Sequence, residues 1–261
     1  MILIDHPMIS NMILFPRKEQ LKSNTEKNIL PISLEMKDGI KLTGLFFSAK
    51  EDKGTILFFH GNAEIANDYL SSYKLYTSTG YNLAVMDYRG YGSSEGVAVY
   101  SALFNDAPII FNQLMEFLKI QNMKPSIIVM GRSLGGTSAS AIGSINPNGL
   151  KAIIFESAYY DFLELVTDLF HQGIENAPSE LLDAIKAWSN SKYIPLIKVP
   201  TLIIHGTNDE IVNIKHGVQI TKSLGNLAKM IKIEGASHND IQLYTQSYIE
   251  ALNGFLINLT Q

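Results

Sequence analysis

The chain has 261 residues, enough to bury a sizeable core in one large α/β domain or two small ones. Apolar residues make up 46% and charged residues 18%, which excludes a disordered chain, and a net charge of −4 without a Lys/Arg block argues against a nucleic-acid partner. The lack of cysteine excludes disulfides, a thiolate nucleophile and a Cys-ligated zinc site, and is silent on compartment.

The opening stretch, "MILIDHPMISNMILFP", is apolar but broken by Asp5, His6, Pro7 and Asn11. It has no basic leader and no clean apolar run, so it reads as a poor signal peptide and is too interrupted to span a bilayer. The expectation is a mobile terminus carrying His6, no integral membrane segment and a cytoplasmic location.

Alternation follows. "NILPISLEM" and "IKLTGLFF" flank Asp38-Gly39, a hairpin signal. Short apolar runs rich in Ile and Val recur at 55–60, 82–88, 126–130, 151–157, 201–206 and 228–235, as in strands buried on both faces of a parallel sheet. Between them lie stretches of helical period at 65–80, 101–122, after residue 136 and at 242–259. Strands alternating with helices predict a single α/β domain over 1–261, with a mostly parallel, doubly wound sheet of about eight strands and an antiparallel N-terminal edge. Residues 158–195 exceed a simple crossover and look helical, with a lone Trp188, and read as an inserted cap or lid over the sheet's C-terminal edge.

The chemistry centres on "GRSLGG", residues 131–136, behind the apolar run "SIIV" and before a helical stretch. A serine on a sharp strand-to-helix turn needs small neighbours two positions away, which Gly131 and Gly135 supply. The turn presents the Ser133 hydroxyl at the sheet edge, together with the unpaired N–H groups of the following helix. A serine hydroxyl needs a base, and the order Ser, acid, His is met downstream by Asp209 in "HGTNDEIV" and His238 in "EGASHND". Both follow predicted strands, at the edge where Ser133 belongs. Among competing acids, Glu210 would point elsewhere on a turn, Glu156 is the credible substitute and Asp240 suits a helix N-cap.

A developing oxyanion needs donors. The backbone N–H of Leu134, directly after the nucleophile, is one; the second is expected from Asn62 in "FFHGNAEIAN", where Asn62 also suits a cap. His60 and His205 end strands and read as loop braces, His171 falls in the lid and His216 on a helix beyond Asp209. No H-x-x-x-H spacing appears, so no His-based metal site is expected. "MDYRGYGSSEG" at 86–96, with Asp87 and Arg89, reads as a structural loop near the active face in which Arg89 bridges loops. Tyr159, Tyr160, Phe162, Leu165 and Phe170 fit either an acyl pocket under the lid or the lid's own core.

From about residue 30 onward the chain resembles the α/β-hydrolase superfamily, in the branch of Bem46-like and ABHD13/ABHD17-like hydrolases. The resemblance rests on "FFHGNAE", "MDYRGYGSSEG", "GRSLGG", "PTLIIHGTNDEIV" and "EGASHND". It implies a serine hydrolase with Ser133, Asp209 and His238 as triad and Asn62 and Leu134 as oxyanion donors. Many relatives carry an N-terminal membrane anchor, which is not expected of this opening stretch, and some eukaryotic ones remove palmitoyl groups with the help of an N-terminal cysteine cluster, whereas these 261 residues hold no cysteine. The expected activity is hydrolysis of short-to-medium acyl esters or thioesters, a small-molecule substrate class, through an acyl-enzyme and without metal or organic cofactor. The alternatives are a protein deacylase or acyltransferase on the same triad, and a catalytically silent binding module.

Overall fold

The computed structural model describes residues 2–22, 26–170 and 177–259. Eight strands form one sheet: Ile29–Glu35 (β1), Lys41–Phe47 (β2), Thr55–Phe59 (β3), Asn82–Met86 (β4), Ile127–Arg132 (β5), Leu150–Glu156 (β6), Thr201–Gly206 (β7) and Ala228–Ile233 (β8). Their spatial order is β1-β2-β4-β3-β5-β6-β7-β8. The hairpin β1–β2 is antiparallel and joins β4 antiparallel; every other pairing is parallel.

The central strands β3, β4 and β5 are buried throughout, which is why they read as unbroken apolar runs. Helices cover both faces. Ala102–Asn105 (α3), Ala107–Ile120 (α4), Gly136–Ile145 (α5) and Lys215–Leu224 (α8) enclose one core with Phe111, Leu114, Ile142 and Ile220. Lys74–Thr77 (α2) and Thr245–Leu256 (α9) enclose the other with Tyr69, Tyr76, Tyr248 and Phe255.

The stretch 65–80 departs from the single helix its period predicts. It forms a 3-10 turn over Ala66–Leu70 and then α2. Asp68 turns back onto the Ile65 N–H, and Asp87 takes the Ala66 N–H at 2.7 Å. These side chains offer the backbone partners that a continuous helix would have to forgo. The tyrosines still face inward, so the apolar period reports burial correctly while misreporting the backbone.

The N-terminal segment also differs from the mobile terminus expected. Residues Pro7–Ile13 form a helix (α1). Asp5 accepts the Ser101 N–H at 2.9 Å, Ile4 and Leu14 are buried, and Lys18 donates to the Ser94 carbonyl. Ordering is driven by those apolar anchors, which the interrupted sequence pattern hides.

Between β6 and β7 the chain forms Phe162–Phe170 (α6) and Ser179–Ala187 (α7). Among the described residues, no helix is long and apolar enough to cross a membrane.

Candidate active site

The chain leaves β5 at Arg132 and turns at once through Ser133–Gly135 into α5. Ser133 takes the left-handed region, φ +51°, a strained choice for a residue with a side chain. The flanking glycines make the turn possible. A Cβ on Gly131 would strike the backbone of Gly135 and Gly136, and one on Gly135 would strike the Phe59 carbonyl.

Ser133 Oγ lies 3.0 Å from Nε2 of His238, in the loop between β8 and α9. Nδ1 of the same ring lies 2.9 Å from Oδ2 and 3.0 Å from Oδ1 of Asp209, in the loop after β7. A carboxylate beside Nδ1 fixes the proton there, leaving Nε2 as the acceptor facing the serine hydroxyl. Asp209 also accepts the Ile211 and Val212 N–H groups at 3.1 and 2.8 Å. Burial works to raise the Asp209 carboxyl, but the His205 and His238 rings and the Val212 N–H outweigh it and hold it well below the ordinary carboxylate range.

The loop after β3 brings Asn62 to the same cavity as Leu134 and Ser133. Among the described residues, the Asn62 backbone N–H makes no hydrogen bond, whereas its side chain makes several. Oδ1 accepts from the Phe15 N–H at 2.9 Å, the Ala63 N–H at 3.1 Å and the Tyr91 hydroxyl at 2.8 Å, and Nδ2 donates to the Ile13 carbonyl at 2.7 Å.

Arg132, which the sequence reading left without a role, ties two loops to the end of β6. Its guanidinium pairs with Glu64 through Nη1 and with Glu156 at 3.1 Å through Nε. Nη2 donates to the His238 carbonyl at 2.9 Å and to Asn239 Oδ1 at 3.2 Å. Glu64 in turn accepts the Gly61 N–H at 2.9 Å and the Tyr69 hydroxyl at 2.7 Å. Burial opposes its charge, yet Arg132 and His60 hold the Glu64 carboxyl below its usual range. Glu156 is fully buried, and burial pushes its carboxyl up despite Arg132, with Tyr248 and Gln242 also donating to it. In the sequence the clamp shows only as an arginine before the serine and a glutamate two residues past Asn62, with nothing in the spacing to pair them.

The competing acids lie elsewhere. Glu156 is committed to Arg132, Tyr248 and Gln242. Glu210 accepts the His238 backbone N–H at 3.4 Å, away from the ring nitrogens. Asp240 takes the expected N-cap position, ahead of the 3-10 turn Ile241–Leu243, but its side chain makes no cap bond there and accepts the Ser237 N–H at 2.7 Å within the histidine loop. His60 donates from Nδ1 to the Gly61 carbonyl at 2.8 Å, and His205 from Nε2 to the Val212 carbonyl at 2.7 Å, so both brace loops. His171 lies outside the described residues. Arg89 bridges Asp38 and Asp106, tying the hairpin turn to α4.

A cavity of about 570 Å³ opens over Ser133. Of the five aromatic and aliphatic residues expected there, Tyr159, Phe162 and Leu165 line it. Tyr160 does not; it packs on the neighbouring core and donates its N–H to Nδ1 of His216. The Phe170 side chain lies outside the described residues. Walls that sequence reasoning missed come from α7 (Leu181, Ile185) and from α1 (Ile9, Met12, Ile13) with Phe15.

A family model described as serine aminopeptidase, S33, matches residues 50–186. α/β-hydrolase domain-containing protein 17B of Homo sapiens is 30% identical over 212 residues, covering 79% of this chain and 69% of that protein. This chain is an α/β hydrolase of the ABHD17-like branch. The hydrolase is also 28% identical to the Caenorhabditis elegans α/β-hydrolase domain-containing protein aho-3, over 77% of its own length but only 57% of that relative's. Among solved structures, the Pyrococcus furiosus esterase Pf2001 superposes with a TM-score of 0.71 at 16% identity, covering 93% of the hydrolase and 96% of the esterase. At that identity the likeness shows the fold, and the site must be argued from its own residues.

Proposed function

We propose that the protein is a serine hydrolase that cleaves carboxylic ester or thioester bonds of short-to-medium acyl substrates. The observation that carries the reading is the continuous hydrogen-bonded line from Asp209 through His238 to Ser133, with both links at 3.0 Å or less. In this reading His238 takes the Ser133 proton as Oγ attacks the acyl carbon. Asp209 holds the ring in the productive tautomer and stabilises the imidazolium. The Leu134 and Asn62 backbone N–H groups receive the oxyanion. His238 then protonates the departing alcohol or thiol, and water cleaves the acyl-enzyme by the same route, returning Ser133 and a carboxylic acid.

The segment 158–195, with α6 and α7, acts as a lid whose apolar residues face the acyl group. Tyr159, Phe162 and Leu165 serve as acyl contacts.

Hydrolysis of a short p-nitrophenyl ester tests the assignment. Ser133→Ala should lower turnover on the order of 10⁴–10⁶-fold. Wild-type protein should be labelled by a fluorophosphonate and the variant should not. Unchanged turnover in the variant refutes Ser133 as nucleophile, and an unlabelled, inactive wild type returns the protein to the class of binding modules. A lipidated peptide that outcompetes the simple esters would shift the reading to a protein deacylase.

A further inference from the structure

Among the described residues, the cavity over Ser133 is polar only at the end where Ser133 lies. Asn62, Arg132, Ser133, His238 and Asn239 gather there, and the remaining walls are hydrocarbon or aromatic. Such a graded site suits a molecule with one polar reacting group and an apolar tail. Part of the apolar wall comes from outside the sheet and its crossovers: Ile9, Met12 and Ile13 on α1, and Phe15 beyond it.

That wall is fastened at both ends. At its start, Asp5 takes the Ser101 N–H at 2.9 Å and the Ser101 hydroxyl at 2.5 Å, Ile4 is buried, and α7 packs against residues 3–5. At its end, the Asn62 amide donates to the Ile13 carbonyl, one of the groups a helix leaves unpaired at its C-terminus, and Asn62 Oδ1 receives the Phe15 N–H. Arg17 pairs with Asp68 at 2.5 Å and extends the attachment. A short helix held at both ends, with Ile9 and Ile13 half-buried toward the cavity, is a fixed wall that a bound chain must fit.

We propose that α1 is a specificity element of the acyl site, and that Ile9 and Ile13 set the length of hydrocarbon chain the site accepts. This rests on the hydrolase reading and adds to it the residues that select the acyl group. The chain lies against α1, α6 and α7 while its carbonyl stays at Ser133. Filling the wall shortens the preferred chain, and trimming it lengthens the preferred chain.

The test is a panel of p-nitrophenyl esters from acetate to dodecanoate with wild type, Ile9→Trp, Ile13→Trp and Ile9→Ala, read as the ratio of decanoate to acetate kcat/KM. One methylene in an apolar pocket is worth roughly tenfold or more in discrimination, so each tryptophan should lower the ratio by at least about tenfold. Ile9→Ala should move the optimum to longer esters. A tryptophan variant that fails to fold leaves the alanine variant to decide. Folded variants whose profiles match wild type overturn the proposal. Calorimetric binding of decanoic acid to the same proteins separates the two readings. Loss of turnover in wild type sinks the hydrolase, whereas decanoic acid that binds wild type and Ile9→Trp equally sinks the wall.

Discussion

The Arg132 guanidinium donates to the main-chain carbonyl of His238 at 2.9 Å, although the two residues are 106 positions apart in the chain. The same guanidinium holds Glu64, whose other oxygen takes the Gly61 N–H beside Asn62. One cation therefore fixes the His238 loop and the Asn62 loop against the strand that leads into Ser133.

Arg132→Lys should fold and lose rate. An ammonium supplies a charge but not the planar fork that reaches Glu64, Glu156 and the His238 carbonyl together. Misplacement on the ångström scale costs on the order of 10²-fold, so kcat should fall by about that factor with KM little changed. Arg132→Met should also unfold more easily, by about 3–5 kcal/mol, because it leaves the buried Glu156 and the half-buried Glu64 without their partner. Steady-state kinetics and urea denaturation read the two effects separately. A lysine variant with wild-type kcat would remove the positioning role.

Gly135→Ala should be more damaging than its size suggests. The added methyl meets the Phe59 carbonyl, part of the central strand, and no side-chain rotation relieves it. Overpacking against backbone costs on the order of 3 kcal/mol or more, so the variant should unfold at markedly lower urea or not accumulate folded. Recovery of a native-like denaturation curve would show that β3 and the elbow can separate.

Asp209→Asn should lower kcat by about 10⁴, since an amide no longer imposes the Nδ1–H tautomer on His238. The substitution should also change the acid limb of stability. Folding depresses the Asp209 carboxyl, so below about pH 4 the unfolded chain binds a proton that the folded chain refuses. Stability present at neutral pH is thus lost as pH falls toward the folded value. The asparagine variant should show a shallower loss below pH 4 than wild type, measured by urea midpoints across pH.

The alkaline limb belongs to buried tyrosines. Tyr159 is pushed up to about 12 by burial, though the Thr137 and Tyr100 hydroxyls oppose the shift. Between about pH 10 and 12 the unfolded chain releases a proton that folded Tyr159 keeps, so stability falls as pH rises through that window. Tyrosinate absorbance from the buried rings should appear together with loss of circular dichroism. Ionisation well ahead of unfolding would show that water reaches the Tyr100–Tyr159 pair.

The sheet was legible because its strands are buried on both faces and so write themselves as runs of Ile and Val; 201–206 matches β7 to the residue. That Ser133, Asp209 and His238 meet was legible because each follows a strand, so all three fall at one edge of the sheet. Arg132 and Glu64 were not, since a lone charged residue carries no period and its partners are distant in sequence. The N-terminal helix was hidden for the opposite reason. Asp5 and Asn11 break the apolar pattern, and Asp5 turns out to be an anchor on Ser101. Tyr160 shows the limit of composition: an aromatic in the right loop packs half-buried against the core and does not line the cavity.

Ser133 holds its strained φ because of its position in the strand-to-helix turn, while its hydroxyl is engaged with His238. Left-handed geometry costs a residue with a Cβ about 1–2 kcal/mol and costs glycine almost nothing, while glycine's looser unfolded chain returns about half of that gain. Ser133→Gly should therefore melt at a higher temperature than the protein it comes from. Thermal selection alone would discard the serine, so its presence at the elbow is a cost in stability that the proposed role of its hydroxyl accounts for.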